Sequence, residues 1–149
     1  MNEESMDVSN RDMTFASGIA AFETRSFSQA LRLLVPLADE GDAESQHRCA
    51  IMYQNGLGVV ASEKKAFEYM KAAAEQGHAV AQHGLGFMYM EGECTGQNSK
   101  EAITWFQKAA EQGLVGSMTT LAMMYEEGKG VEKNPEEAKR LYKLAGFEK

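Results

Sequence analysis

Apolar residues recur along most of the chain at spacings of three, four and seven, which is typical of helices that pack on one face. The clearest stretch runs from Ala79 to Glu91, and its inward residues are Val80 or Ala81, Leu85, Met88 and Tyr89. A second stretch, from about Ser99 to Gln112, places Ala102, Trp105, Phe106 and Ala109 inward. Gly92 and Gly113 follow the two stretches, as glycines that end helices do. The pattern predicts a pair of helices.

The same pattern returns every 36 residues. The pentapeptide Ala-Ala-Glu-Gln-Gly occupies 73–77 and again 109–113. Other positions with this step are Tyr53, Tyr89 and Tyr125, Gly56, Gly92 and Gly128, and Ala30, Ala66, Ala102 and Ala138. A fixed period of this length indicates stacked supersecondary units. We expect a frayed or disordered segment at 1–12 and a repeat domain at 13–149, with repeats at about 13–42, 43–78, 79–114 and 115–149.

The starts of the second helices carry capping residues in register. Ser26, Ser62, Asn98 and Asn134 are spaced by 36 and can accept bonds from the first free amides of a helix. Gln29, Glu101 and Glu137 stand three residues after three of them, as in a capping box. Four such starts predict eight helices. The alanines of the second helices are expected where paired helices approach most closely.

Composition limits the classes of partner. The 149 residues carry a net charge of −7, which argues against nucleic acid and against an anionic membrane surface. The acidic first residues do not resemble a signal peptide. Cys49 fits a buried apolar position and Cys94 a loop, so a disulfide between them is not expected. A reduced, cytoplasmic protein is the simpler expectation, or a periplasmic one if an export signal has been removed.

These residues resemble the Sel1-like repeats, relatives of the tetratricopeptide repeats. The resemblance covers about residues 13 to 147 and is carried by Ala79–Gln82, Leu85-Gly86, Tyr89, Gly92, Ala102, Trp105-Phe106 and Lys108–Gly113 with their counterparts. Departures are Cys49 for leucine, Cys94 for glycine and the final Leu144–Phe147. The resemblance implies an all-α fold, a right-handed superhelical solenoid of antiparallel helix pairs, which binds other proteins as an adaptor or scaffold.

Candidate chemistry is sparse. His47 and Cys49 are two apart on one helix and point to different faces, and His78 and His83 lack zinc-ligand spacing. Glu126 and Glu127 are adjacent and cannot act on a substrate from one face. We therefore expect no enzyme, cofactor or metal. A cysteine-rich branch of the family is associated with β-lactam binding and hydrolysis, which remains a less favoured alternative because its paired cysteines are absent.

The resemblance places the first helix of each pair on an inner face. The residues opposite the packing stripe are Phe15, Ile19, Phe22 and Glu23, then His47, Ile51, Gln54 and Asn55, then His83, Phe87, Met90 and Glu91, then Thr119, Met123, Glu126 and Glu127. We interpret them as an apolar, acid-edged groove for a peptide or helix with apolar and basic residues. Two alternatives stay open: the superhelix buries this strip itself, or the solenoid self-assembles. The chain is expected to be a monomer or a weak homodimer through its terminal helices.

Overall fold

The computed structural model describes residues 8–147 and contains eight helices and no strand in that range. The helices are α1 Val8–Glu23, α2 Phe27–Asp39, α3 Ala43–Asn55, α4 Glu63–Glu75, α5 Ala79–Glu91, α6 Ser99–Glu111, α7 Val115–Glu127 and α8 Pro135–Leu144. The prediction of an all-α repeat fold with eight helices is confirmed. None of these helices is both long enough and apolar enough to cross a membrane.

The start of α1 differs from expectation. Residues 1–7 of the expected frayed segment lie outside the described residues, but residues 8–12 are helical. The Arg11 guanidinium lies 3.0 Å from the Glu40 carboxylate beyond the end of α2, and Phe15 packs against the core one turn later. These contacts give the first turns of α1 tertiary partners that no local sequence signal reveals.

The chain divides between Ala73 and Ala74 into two compact units. In the N-terminal unit α2 packs against both α1 and α3. Its core is a cluster of small and aliphatic side chains: Ala21, Ala30, Leu31, Leu34, Leu37, Ala38, Cys49 and Met52. Cys49 is fully buried, as its apolar position predicts.

In the C-terminal unit α5 packs on α6, α6 on α7 and α7 on α8. Its largest buried side chain is Phe106, whose ring lies so close to α5 that a Cβ added at Gly86 would fall 2.7–3.0 Å from three ring carbons. Ala102, Ala122 and Ala138 belong to the same buried cluster as Phe106. Small residues therefore stand where paired helices approach most closely, as the repeat pattern predicts.

Helix ends follow the predicted chemistry with one correction. Gly56, Gly92 and Gly128 end the first helices in the left-handed conformation, with φ of 65°, 69° and 69°. The side chains of Ser62, Asn98 and Asn134 each accept the amide three residues on, at 3.1–3.2 Å. Ser26 occupies the N-cap position of α2 without a side-chain bond.

The predicted capping boxes do not close. The backbone amides of Asn98 and Asn134 donate to the carbonyls of Tyr89 and Tyr125, at 2.9 and 2.8 Å. The Glu101 carboxylate instead accepts from the Trp105 indole, 3.1 Å away, and Glu137 pairs with Arg140. The preceding helix, to which the loop returns, therefore supplies the acceptor that a capping box would have supplied.

A buried glutamine ties neighbouring helices together in two repeats. Gln46 donates its side-chain amide to the Ala38 carbonyl at 3.0 Å, and Gln82 donates to the Ala74 carbonyl at 3.1 Å. The Gln82 amide oxygen also accepts from Gln112 at 2.9 Å. These bonds satisfy buried polar groups at the C-terminal ends of the preceding helices.

Candidate functional site

The two first helices of the C-terminal unit, α5 and α7, are joined by a side-chain bond. His83 Nδ1 on α5 and Ser117 Oγ on α7 lie 2.6 Å apart. On the same two helices Phe87 is 36% exposed and Met123 is 50% exposed. Large apolar side chains left in solvent on neighbouring helices are typical of interaction sites. We call the face that carries Phe87 and Met123 the α5/α7 face.

An aromatic cluster supports the α5/α7 face from below. The His83 ring centroid lies 4.9 Å from that of Phe87 and 5.5 Å from that of Phe106, and the two phenylalanine centroids are 5.2 Å apart. All three contacts are edge-to-face, the arrangement that aromatic quadrupoles favour. The exposed Phe87 ring therefore stands on a buried ring and is held in a fixed orientation.

The His83–Ser117 pair has the spacing of a base and a nucleophile but not the access. Ser117 is fully buried, so no substrate can reach its hydroxyl. Burial also lowers the pKa of the His83 imidazole below its ordinary value, which favours the neutral ring. The pair therefore serves to join two helices.

Three acids border the α5/α7 face. Glu91 at the end of α5 and Glu126 and Glu127 at the end of α7 are exposed. The Tyr142 hydroxyl donates to the Glu126 carboxylate at 3.2 Å, and burial followed by the charge of Glu126 raises the pKa of this phenol. Exposed apolar side chains and exposed acids therefore occur on the same two helices of this unit.

One predicted site residue is misplaced. Met90 was expected on the exposed face, but it is 6% exposed and belongs to the buried cluster that also contains Ala102, Phe106 and Leu121. Met90 lies at the border of the α5 face, where contact with the next repeat decides between core and surface.

The sequence pattern also missed two exposed valines. Val80 and Val115, at the starts of α5 and α7, are each 46% exposed. Val80 is three residues before His83, and Val115 is eight before Met123, so both continue the face by helical spacing. This helical spacing could have identified both valines from the sequence, but Val80 was also a candidate for the core.

In the N-terminal unit the predicted site residues are mostly half-buried. Phe15, Ile19 and Phe22 on α1 pack against the core, and Ile51 on α3 is also half-buried. The Arg48 guanidinium lies 4.7 Å from the Phe22 ring centroid and 2.7 Å from the Glu44 carboxylate. This covering supports the alternative that the chain buries part of the strip itself.

The remaining predicted residues of α3 are His47 and Gln54, both half-buried. Cys49 and Cys94, the two cysteines of the chain, form no disulfide, as expected. Burial, with a smaller effect of the Asp39 charge, raises the pKa of the Cys49 thiol to about 12. A thiol with such a pKa stays protonated near neutral pH and is a poor nucleophile or metal ligand.

Comparison with known proteins agrees with this architecture. The model of the Sel1 repeat matches residues 43–78, 79–114 and 116–146, more than half of the chain. No curated protein matches the chain.

Several solved structures are similar to this chain. The protein c5321, described as a protective antigen of uropathogenic Escherichia coli strains with an SLR fold, is 28% identical with a TM-score of 0.87, over 93% of this chain and 30% of that one. A Sel1 repeat protein from Oxalobacter formigenes is 32% identical with a TM-score of 0.83, over 89% of this chain and 54% of its own. The chain thus spans about a third to a half of these relatives.

Helicobacter pylori cysteine rich protein B is 20% identical with a TM-score of 0.65, over 80% of this chain and 89% of that one. At this level of identity the likeness concerns the fold alone.

Proposed function

The chain belongs to the Sel1 repeat family, whose members are generally protein-interaction modules and typically non-catalytic, and we propose that it binds a segment of a partner protein on the α5/α7 face. The observation that carries this proposal is the pair of exposed side chains Phe87 and Met123 on two helices joined by the His83–Ser117 bond. A rigid aromatic anchor loses little conformational entropy on binding.

The partner segment is a peptide or helix with apolar anchors and lysine or arginine residues. Its apolar side chains cover Phe87, Met123 and the two valines, and its basic residues face Glu91, Glu126 and Glu127. Charge complementarity of this kind contributes mainly to specificity and association rate. Binding is therefore expected to weaken with salt, because exposed charges are screened.

The test compares two glutamate substitutions at equally exposed apolar residues. Partners captured by the wild-type chain from a lysate of its source cells are rebound to Met123→Glu and to Phe147→Glu, residues that are 50% and 52% exposed. The first variant is expected to lose the partner and the second to keep it, with melting curves confirming that both are folded. Equal binding by both variants contradicts a site on the α5/α7 face.

We also propose that the protein is cytoplasmic and that it is a monomer or associates weakly through its terminal helices. Two cysteines that form no disulfide are compatible with a reducing compartment, and the exposed Leu144 and Phe147 offer an apolar contact. Cell fractionation tests the location. Light scattering across a concentration series distinguishes the two states, because the mass of a monomer stays constant and that of a weakly associating chain rises with concentration.

A further inference from the structure

A cavity of about 290 Å³ opens between α6, α7 and α8, on the side of α7 opposite the α5/α7 face. Its apolar lining is Met118, Leu121, Tyr125, Leu141 and Leu144, and its polar lining is Gln107, Glu111, Glu137 and Arg140, with Ala110 also at the wall. On α7 the residues of this lining are about half a helical turn from Met123. The cavity is therefore separate from the proposed binding face.

The cavity lies where the last repeat lacks a glutamine. Met118 holds the position that Gln46 and Gln82 hold in the two preceding repeats, 72 and 36 residues earlier. Those glutamines each donate to a carbonyl at the end of the preceding helix. The equivalent carbonyl here is that of Ala110, and among the described residues it accepts the Gly113 amide at 2.9 Å without a side-chain donor. The cavity thus contains an acceptor with capacity for one more donor.

A second difference between repeats concerns the wall of the cavity. Leu141 holds the position of Trp105 in the preceding repeat, so a branched aliphatic side chain replaces an indole. Leu141 is buried and Leu144, one turn later, is 58% exposed. The result is an apolar wall that is open to solvent, suitable for the alkyl stem of a long side chain.

The electrostatics of the cavity favour a cation. Ala110 and Glu111 belong to the last turn of α6, where the helix dipole presents its negative end. Glu137 is paired with Arg140 by two bonds of 2.7 and 2.8 Å, which neutralises the one basic group of the lining. Glu111, the residue after Ala110 and also part of the lining, adds a negative charge.

We propose that this cavity is a second docking site, which receives a lysine or arginine side chain of a partner protein. The alkyl stem lies on Met118, Leu141 and Leu144, and the cationic group donates to the Ala110 carbonyl and to the Glu111 carboxylate. The partner group thus donates to the carbonyl that the glutamine amide reaches in the earlier repeats.

The probes are three synthetic peptides that differ at one position. The acetyl-Gly-Leu-Arg-Leu-Gly-amide peptide is compared with peptides that carry citrulline or norleucine in place of arginine. Titration of the ¹⁵N-labelled chain is expected to shift the amide signals of Ala110, Gly113, Met118 and Leu144 with the arginine peptide. Citrulline, which keeps some of the N–H donors but not the charge, should bind about tenfold more weakly, and norleucine, which keeps neither, should bind weakest, because charge-assisted bonds are lost.

Met118→Gln restores the residue of the earlier repeats and tests the proposed acceptor most directly. Its amide is expected to occupy the Ala110 carbonyl and to abolish the shifts, whereas Met13→Gln, the same change at an exposed residue of α1, should preserve them. Unchanged binding by a folded Met118→Gln overturns the proposal, as does a norleucine peptide that binds as well as the arginine peptide. The proposal is also overturned if the arginine peptide shifts no amide signals at the cavity. Shifts at Phe87 and Met123 instead would show that the peptide binds on the α5/α7 face.

Discussion

Gly86 and Phe106 provide a sensitive test of how the repeats pack. The equivalent pair is Ala50 and Met70 one repeat earlier, and all four residues are buried. A Cβ at Gly86 would meet the Phe106 ring at 2.7–3.0 Å, closer than carbon atoms approach without displacement. We predict that Gly86→Ala destabilises the chain although alanine is the better helix former.

The magnitude follows from two opposing effects. Replacing a mid-helix glycine by alanine stabilises a helix by about 0.8–1.0 kcal/mol. Overpacking a close-packed interior costs about 1–3 kcal/mol, and the Phe106 ring is also held between Phe87 and His83. The net expectation is a loss of about 0–2 kcal/mol in the free energy of unfolding.

The assay is a double-mutant cycle by urea unfolding. Phe106→Met alone is expected to cost about 1–3 kcal/mol through lost volume and aromatic contacts. Gly86→Ala combined with Phe106→Met recreates the alanine–methionine pair of the earlier repeat. The double variant should therefore be more stable than the sum of the single effects by about 1–3 kcal/mol.

Gly116→Ala is the matched control on α7. Its Cβ would lie 3.5 Å from His83 Cε1, an ordinary contact, so this variant should be neutral or slightly stabilising. Additive effects at Gly86 and Phe106, within about 0.5 kcal/mol, would refute the steric argument.

Four further predictions concern the core and the thiols. Ala102→Leu should lower the free energy of unfolding by about 1–3 kcal/mol, because a fully buried alanine leaves no room, and urea unfolding measures this loss. Gln82→Met should cost about 1–3 kcal/mol in the same assay, since it leaves buried partners unsatisfied, and an unchanged midpoint would contradict that role. The thiol pKa of Cys49, raised from 9.0 to about 12, favours the protonated folded state. The contribution of the protonated thiol to the free energy of unfolding should be complete below about pH 9 and lost by about pH 12. Over this window the free energy of unfolding should therefore fall less steeply in Cys49→Ala than in the wild-type chain. In mass spectrometry, iodoacetamide should label Cys94 in the native state and Cys49 only after unfolding.

The features predicted correctly from the sequence are local ones. The left-handed glycines at 56, 92 and 128 end helices because a residue without Cβ adopts positive φ at little cost. Asn98 and Asn134 cap helices because their side chains reach amides three residues on. Each of these features depends on residues within about one helical turn, so it can be predicted from the local sequence.

The features that the sequence left undecided depend on which groups meet across helices. Consecutive residues of a helix differ by about 100° in direction, so the border of a buried face cannot be placed from spacing alone. Met90 fell on the wrong side of that border, and Val80 was ambiguous for the same reason. The groove residues of α1 were predicted as a face, but only the packed structure placed Phe15 and Phe22 against the core.

The sequence by itself determined the 36-residue period, the eight helices, the small residues at close approaches and the family, because repetition makes each local signal recur several times. Tertiary structure decided that Glu101 binds Trp105 and not its own cap, that His83 bonds Ser117, and that Met118 leaves the Ala110 carbonyl with a free acceptor position. Hydrogen bonds reach only about 3 Å, so these pairings are fixed by where packed helices place their atoms and not by distance along the chain.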